Sequence, residues 1–427
     1  MYKLMTLINK IINTDIDNSP KYKCDYITMS VKGYMDILNN NGYKNSYKSK
    51  NWNIWFPSSY NNIDEQLKKL KIYNNEQIIF TIPNCDKIVS KHNVWKTLEN
   101  YYGRDKASTI IPESYLLDDD KDLEKIKDSK NKRFILKKKK QRKEGLRIIS
   151  DINEIKKIEN EEEDFLIAQK LIDPFLVNGR KINLRIYMML ILKNNEFSVY
   201  LNKFGTCIYT KELYDENSNE FVNNITSYKL DLDIYNENPL TFEQLKTYLK
   251  NNNLDHNILF DKIKNKTLLF INSMKSHLGD KKFENNLCAQ VFGLDFIIDK
   301  NLEPFLLECN KGPDMKPKIT LIEYPEIDEN IKNYIIELKN ILDNNDITDL
   351  EKVKNIKKSF YEIYKDLPKD KDWKEILNEI EIFLKNENPL NSFPSGYITG
   401  NGLKAQKDSL NILNLVESDN NGYEKIN

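Results

Sequence analysis

Gln290-Val291-Phe292-Gly293-Leu294-Asp295-Phe296-Ile297-Ile298-Asp299-Lys300-Asn301-Leu302-Glu303-Pro304-Phe305-Leu306-Leu307-Glu308-Cys309-Asn310-Lys311-Gly312-Pro313-Asp314-Met315 reads as two strands joined by a tight turn. The pattern predicts strands over Val291 to Ile298 and Pro304 to Cys309, with turn chemistry at Asp299-Lys300-Asn301 between them. Side chains alternate along a strand, so Glu308 and Asn310 share one face while Leu307 and Cys309 take the other. An apolar hairpin that gathers Asp295, Glu308 and Asn310 is a candidate cradle for Mg²⁺, a hard cation that takes oxygen ligands and usually also holds substrate phosphates. A hairpin whose polar ends are merely solvated would carry the same residues.

Upstream lies Lys181-Ile182-Asn183-Leu184-Arg185-Ile186-Tyr187. Lys181, Asn183 and Arg185 fall on one strand face, and Ile182, Leu184, Ile186 and Met188 on the other. A guanidinium among such groups suits phosphate oxygens, although a wet outer strand face would look alike. Earlier still, Phe134-Ile135-Leu136-Lys137 predicts a strand. It runs into the polar loop Lys138 to Gly145 and returns as Leu146 to Ile149. Gly145 with Lys137 and Arg142 supplies the backbone freedom and charge of a phosphate loop, whereas a basic run in a loop is also the mark of a solvated face or a nucleic-acid patch. These constellations follow one another as parts of one nucleotide site would.

The chain has 427 residues, room for two or three domains. Lys plus Arg and Asp plus Glu are 65 each, so global charge argues for neither a nucleic-acid nor a membrane partner. The five cysteines form no CxxC pair and the three histidines show no metal spacing, which points away from zinc and towards a reducing, cytoplasmic setting.

Hydrophobic periodicity predicts four regions: a small α/β domain over 1–110, a central unit over 111–180, a third over 181–330, and a helical extension and tail over 331–427. In the first, Tyr26 to Met29 and Gln77 to Ile82 read as strands, and Ile63 to Ile72 and Ile88 to Tyr102 as helices, the last stopped by Gly103. In the second, Asp151 opens a helix carrying Ile152, Ile155 and Ile158, and Phe165 to Lys170 is a strand running on to Ile172. The third holds a long strand over Lys181 to Leu192, a meander over Glu196 to Leu201 and Gly205 to Thr210, and helices over Glu243 to Leu249 and Ile258 to Leu278. Helices are expected over 331–342, 349–364 and 373–384, and no regular element from Asn386 onward.

These residues resemble the tubulin tyrosine ligase-like family, a branch of the ATP-grasp fold. Gln169 to Arg185 is similar to the family's stretch from the adenine hinge to the Lys-Phe-Asp-Leu-Arg strand. Gly293-Leu294-Asp295 through Glu308-Cys309-Asn310 is similar to its metal-binding hairpin, and Phe134 to Lys137 resembles its Trp-Ile-x-Lys strand. Lys91 to Trp95 and Ile111 to Tyr115 carry a weaker likeness, and the whole runs from about residue 77 to about 325.

The resemblance implies a mixed α/β (α+β) ATP-grasp fold with antiparallel sheets flanked by helices. It also implies ATP-dependent carboxylate–amine ligation through an acyl phosphate, with Mg²⁺, a free amino acid and a protein acceptor such as tubulin or another acidic tail, by a cytoplasmic monomer. By position, Lys137 and Lys170 would hold ATP, and Gln169, Leu171 and Ile172 would line the adenine hinge. Asn183 and Thr226 would touch nucleotide, Lys181, Arg185 and Glu308 would be catalytic, and Asp295, Glu308 and Asn310 would hold Mg²⁺. The chain departs from the pattern where the family's strand aspartate is Asn183, its arginine is Ile208, and His-Leu-Thr-Asn is Asn224-Ile225-Thr226-Ser227. Those losses motivate an alternative: a degenerate module that binds nucleotide or protein without turnover.

Overall fold

Strand β10 (Arg180–Lys193) is the axis of the molecule, and its 14 residues exceed every other strand among those described. The computed structural model describes residues 19–25, 27, 29–46, 50–129, 133–138, 145–151, 153–155, 164–227, 232–313, 315, 401–418 and 421–427. All of these belong to one compact unit formed by Met1–Pro317 and Pro394–Asn427; the other unit, Lys318–Phe393, lies outside the described residues.

On one side β10 pairs antiparallel with β13 (Cys288–Ile298), and on the other with β11 (Glu196–Asn202) and β12 (Thr206–Tyr209). β14 (Pro304–Asn310) closes the predicted hairpin on β13. Tyr187, Met188, Met189 and Leu190 are fully buried, as a central strand covered on both faces requires. The same sheet continues past β13 through short parallel strands of the N-terminal region: β4 (Ile78–Ile79), β3 (Ile54–Trp55), β1 (Lys21–Lys23) and β2 (Lys44–Asn45). β9 (Leu176–Val177) pairs with the start of β10.

A second sheet has the order β5-β8-β6-β7 and is antiparallel throughout: β5 (Ser114–Leu116), β8 (Phe165–Lys170), β6 (Phe134–Lys138) and β7 (Leu146–Ile149). Its own small core contains Tyr115, Ile126, Phe134, Leu136, Ile149 and Ala168. The expected architecture of antiparallel sheets flanked by helices is therefore present.

The helices begin with α1 (Met29–Asn40) and α2 (Ile63–Lys69), then α3 (Asp86–Val89), α4 (Lys91–Tyr102) and α5 (Arg104–Ile110). There follow α6 (Asp120–Lys127), α7 (Phe221–Asn224), α8 (Phe242–Asn251), α9 (His256–Met274) and α10 (Asn401–Ile412). Three regions differ from expectation. Met29 starts a helix rather than ending a strand, and the rest of that predicted strand lies partly outside the described residues. The helix expected over Ile88 to Tyr102 breaks at Ser90, whose extended backbone and hydroxyl cap α4 by accepting from the Asn93 N–H. The tail is not structureless: α10 forms, and β15 (Tyr423–Lys425) pairs with β11. Asp408, fully buried, accepts from Gly422 N at 2.9 Å and ties the two together. That order comes from tertiary contact, which periodicity does not report.

The strand expected over Gln77 to Ile82 shortens to β4, and the helix expected over Ile258 to Leu278 starts at His256 and ends at Met274. The expected helices at 331–342, 349–364 and 373–384, the loop residues 139–144, and Ile152 and Ile158 lie outside the described residues.

Candidate active site

The hairpin register sets the acidic centre. Arg185 on β10 faces Asp295 on β13, and Asp295 faces Glu308 on β14. The Arg185 fork is bidentate: Nε donates to Asp295 Oδ1 at 2.5 Å and Nη2 to Oδ2 at 2.9 Å. Burial alone would lower the Arg185 pKa, but the Asp295 carboxylate outweighs it and raises it. Asn310 Nδ2 donates to Asp295 Oδ2 at 3.3 Å. Gly293 makes room for this pair, since a Cβ there would lie 2.9 Å from the Pro313 Cβ and 3.4 Å from the Arg185 Cδ.

Strict alternation fails at one point. The β13–β14 register shifts between Asp295 and Phe296, so Phe296 pairs with Leu306 and Leu307 is the extra residue of a bulge. Leu307 therefore does not simply oppose Glu308; both line one cavity with Lys91, Lys137 and Gln169. Glu308 is 30% exposed there and forms an ion pair with Lys91 Nζ, 3.2 Å from its Oε1.

The second sheet supplies the basic wall. Lys137 and Gln169 share a face of the β6–β8 pair, and Lys137 Nζ donates to Gln169 Oε1 at 2.6 Å. Gln169 Nε2 is held in turn by Ser114 Oγ at 3.0 Å. Burial pushes the Lys137 ammonium down to about 7; Lys91 and Lys181 push the same way, and Glu308 opposes them. Lys181, at the start of β10, is pushed down to about 8 by burial and by the Arg133 guanidinium. Neither lysine has an ion-pair partner among the described residues. Asn183 Nδ2 donates to Thr226 Oγ1 at 2.9 Å, and its buried Oδ1 has no partner among the described residues.

Of the predicted site residues, Lys137, Gln169 and Glu308 line one cavity; Lys181, Asn183 and Arg185 lie on β10, Asp295 and Asn310 on the paired hairpin, and Thr226 is tied to Asn183. Leu171 and Ile172 follow β8 and are half-buried. Lys170 differs: it alternates to the face away from Gln169 and is exposed. Sequence reasoning misses Lys91, because its approach to Glu308 depends on the helix break at Ser90, signalled only by a serine three residues before Asn93.

A sequence model described as the tubulin-tyrosine ligase family matches residues 68–326, more than half of the chain. The chain belongs to the tubulin-tyrosine ligase family. It is 25% identical over 329 residues to a Tetrahymena thermophila protein described as a probable alpha-tubulin polyglutamylase, Ttll1, a match that covers 67% of this chain and 76% of that one. It is 24% identical over 263 residues to the mouse tubulin monoglutamylase TTLL4 and 25% over 187 to the mouse tubulin polyglutamylase TTLL6. Those matches cover 55% and 40% of this chain. The chain spans about a fifth of the length of either mouse protein, 21% and 22%. As a member of this family it falls in the carboxylate–amine ligase class, on an ATP-grasp fold.

The family implies Mg²⁺, and oxygen donors of the kind it takes are present, with both Asp295 oxygens accepting from Arg185 here. Asp295, Glu308 and Asn310 are oxygen-bearing groups on two paired strands, with Asn310 in contact with Asp295. Two carboxylates and an amide would make a partial shell, the kind that leaves positions for phosphate and water. Among the described residues no group of three His, Cys, Asp or Glu is arranged to hold a metal ion.

Proposed function

We propose that this protein is an ATP-dependent ligase that joins the amino group of a free amino acid, glutamate by analogy with its relatives, to a side-chain or terminal carboxylate of a tubulin-like acidic acceptor. The observation that carries the reading is the pair of buried ammonium groups, Lys137 from one sheet and Lys181 from the other, without an ion-pair partner among the described residues. Buried cations are costly unless an anion joins them. A polyphosphate entering between the sheets is such an anion.

A carboxylate is a poor electrophile. Transfer of the γ-phosphoryl group to its oxygen makes a leaving group, the amine attacks the acyl carbon, and phosphate departs with the C–O bond electrons. The protein's part is positioning and charge neutralisation. Lys137 and Lys181 would donate to phosphate oxygens. Arg185, fixed by Asp295, presents a guanidinium beside the transferring group or the acyl phosphate. Gln169, anchored by Ser114, orders Lys137 and borders the adenine hinge at Leu171 and Ile172. Asp295, Glu308 and Asn310 would hold Mg²⁺, which when bound neutralises phosphate charge.

The departures at Asn183 and Ile208 favour a second reading, a nucleotide-binding module without turnover. Thermal stabilisation by MgATP together with ADP release on adding acceptor and amino acid supports the ligase. Stabilisation without ADP release under any acceptor supports the module, and absence of both responses removes both readings.

A further inference from the structure

Arg133 immediately precedes β6, and Ser150 immediately follows β7. Phe134 and Ile149 are register partners, so both residues sit at one end of that hairpin. From this end the Arg133 guanidinium leaves its own sheet and reaches the segment that follows β12. Nη2 donates to Ser218 O at 2.5 Å, to Asn224 Oδ1 at 3.3 Å and to Asn219 Oδ1 at 3.4 Å. Ser150 Oγ donates to the same Asn219 Oδ1 at 2.9 Å.

The segment is built to receive them. Asn224, 1% exposed, returns its own amide hydrogens to Ser218 O at 2.7 Å and Glu220 O at 3.0 Å. Two residues on, Thr226 Oγ1 accepts from Asn183 Nδ2 at 2.9 Å, on the same strand as Lys181 and Arg185. A continuous run of contacts therefore joins the sheet that carries Lys137 to the strand that carries Lys181. Asn224 stands where the family resemblance places a histidine, so this acceptor is a feature of this chain.

We propose that Arg133 is a positioning residue, a latch that fixes residues 218–226 against the β6–β7 hairpin and thereby sets the separation of Lys137 and Lys181. The proposal rests on the nucleotide reading above. The three acceptors gather about the single nitrogen Nη2, at the far end of a planar group that stays charged throughout the accessible pH range. Two sheets that clasp a ligand between them need such a restraint, since phosphate contacts that must be ordered at the moment of binding cost affinity. The charge of Arg133 also bears on Lys181. Its removal thus alters both geometry and field at one phosphate contact.

The test uses the full chain with Arg133→Gln, Arg133→Lys and the surface variant Asn219→Ala. Amide exchange is followed over 218–227 without nucleotide, and the MgATP dissociation constant and turnover are measured separately. In Arg133→Gln the latch predicts faster exchange over 218–227 and MgATP affinity lower by about tenfold or more. Turnover at saturating ATP falls far less than affinity. Arg133→Lys recovers part of the affinity, and Asn219→Ala shows a smaller change of the same kind. Exchange and affinity unchanged in Arg133→Gln overturn the latch. Should the unsubstituted protein bind no nucleotide, the underlying reading fails, yet the exchange comparison still decides whether Arg133 holds the segment. If Arg133→Gln does not fold, Asn219→Ala carries the decision: unchanged exchange and affinity there count against the latch.

Discussion

Asn183 on β10 and Ile208 on β12 are cross-strand partners. They are also the two positions where the sequence resemblance places an aspartate and an arginine. On that correspondence one negative and one positive group are exchanged for neutral ones at neighbouring sites, which leaves the local sum of charge unchanged. Ile208 is 6% exposed and Asn183 is 9% exposed, so a lone carboxylate at 183 would face an apolar neighbour.

Asn183→Asp alone is accordingly expected to destabilise the protein by about 1–3 kcal/mol, the usual cost of a buried group left without a partner. Adding Ile208→Arg should recover part of that loss. A double-mutant cycle in urea measures the coupling; additive effects would deny that the two positions act as a pair.

Asp295→Asn should destabilise by about 3 kcal/mol, because it leaves the Arg185 guanidinium, 13% exposed, without its charge partner. The urea midpoint should fall with little change in the denaturant slope. A midpoint equal to that of the unsubstituted protein would mean the bidentate contact contributes nothing to stability.

Lys137 gives a pH dependence of definite sign. Its pKa is about 7 in the folded chain and about 10.4 when unfolded. Between those values the unfolded chain binds the extra proton, so stability rises with pH from about 7 towards 10. Nucleotide affinity should run the other way, because the ammonium is the form that holds phosphate. Lys137→Met should therefore raise the thermal midpoint of the nucleotide-free protein at pH 7, by an amount that shrinks towards pH 10, while weakening MgATP binding. Melting curves and calorimetry across that range check both halves.

Removing residues 421–427 deletes β15 and uncovers the β11 edge, where Tyr200 to Asn202 pair with Tyr423 to Lys425 and Val199 N donates to Asn427 Oδ1 at 2.7 Å. Such an edge invites intermolecular pairing. The truncated protein should self-associate on size exclusion at concentrations where the full chain does not.

Legibility in the sequence follows the range of the forces involved. β10 and the β13–β14 hairpin are readable because they are rich in apolar residues bounded by turn signals, as strands buried on both faces are, and Asp295, Glu308 and Asn310 because oxygen donors are rare in an apolar hairpin. The bulge at Leu307 is not, since a register shift leaves no mark in residue type. Position along the hinge assigns Lys170 to the nucleotide, but alternation on β8 turns it away from Gln169. Lys91, Arg133 and Asp408 act through partners more than 10 residues away in sequence, which no local pattern reports.

The most direct measurement sets the unsubstituted chain beside Glu308→Gln, each incubated with MgATP, tubulin and pooled amino acids, with ADP assayed and intact masses of the acceptor recorded. The account predicts ADP release and an acceptor heavier by one or more aminoacyl residues with the unsubstituted chain, and loss of both with Glu308→Gln. Equal mass gain from the two proteins would contradict it.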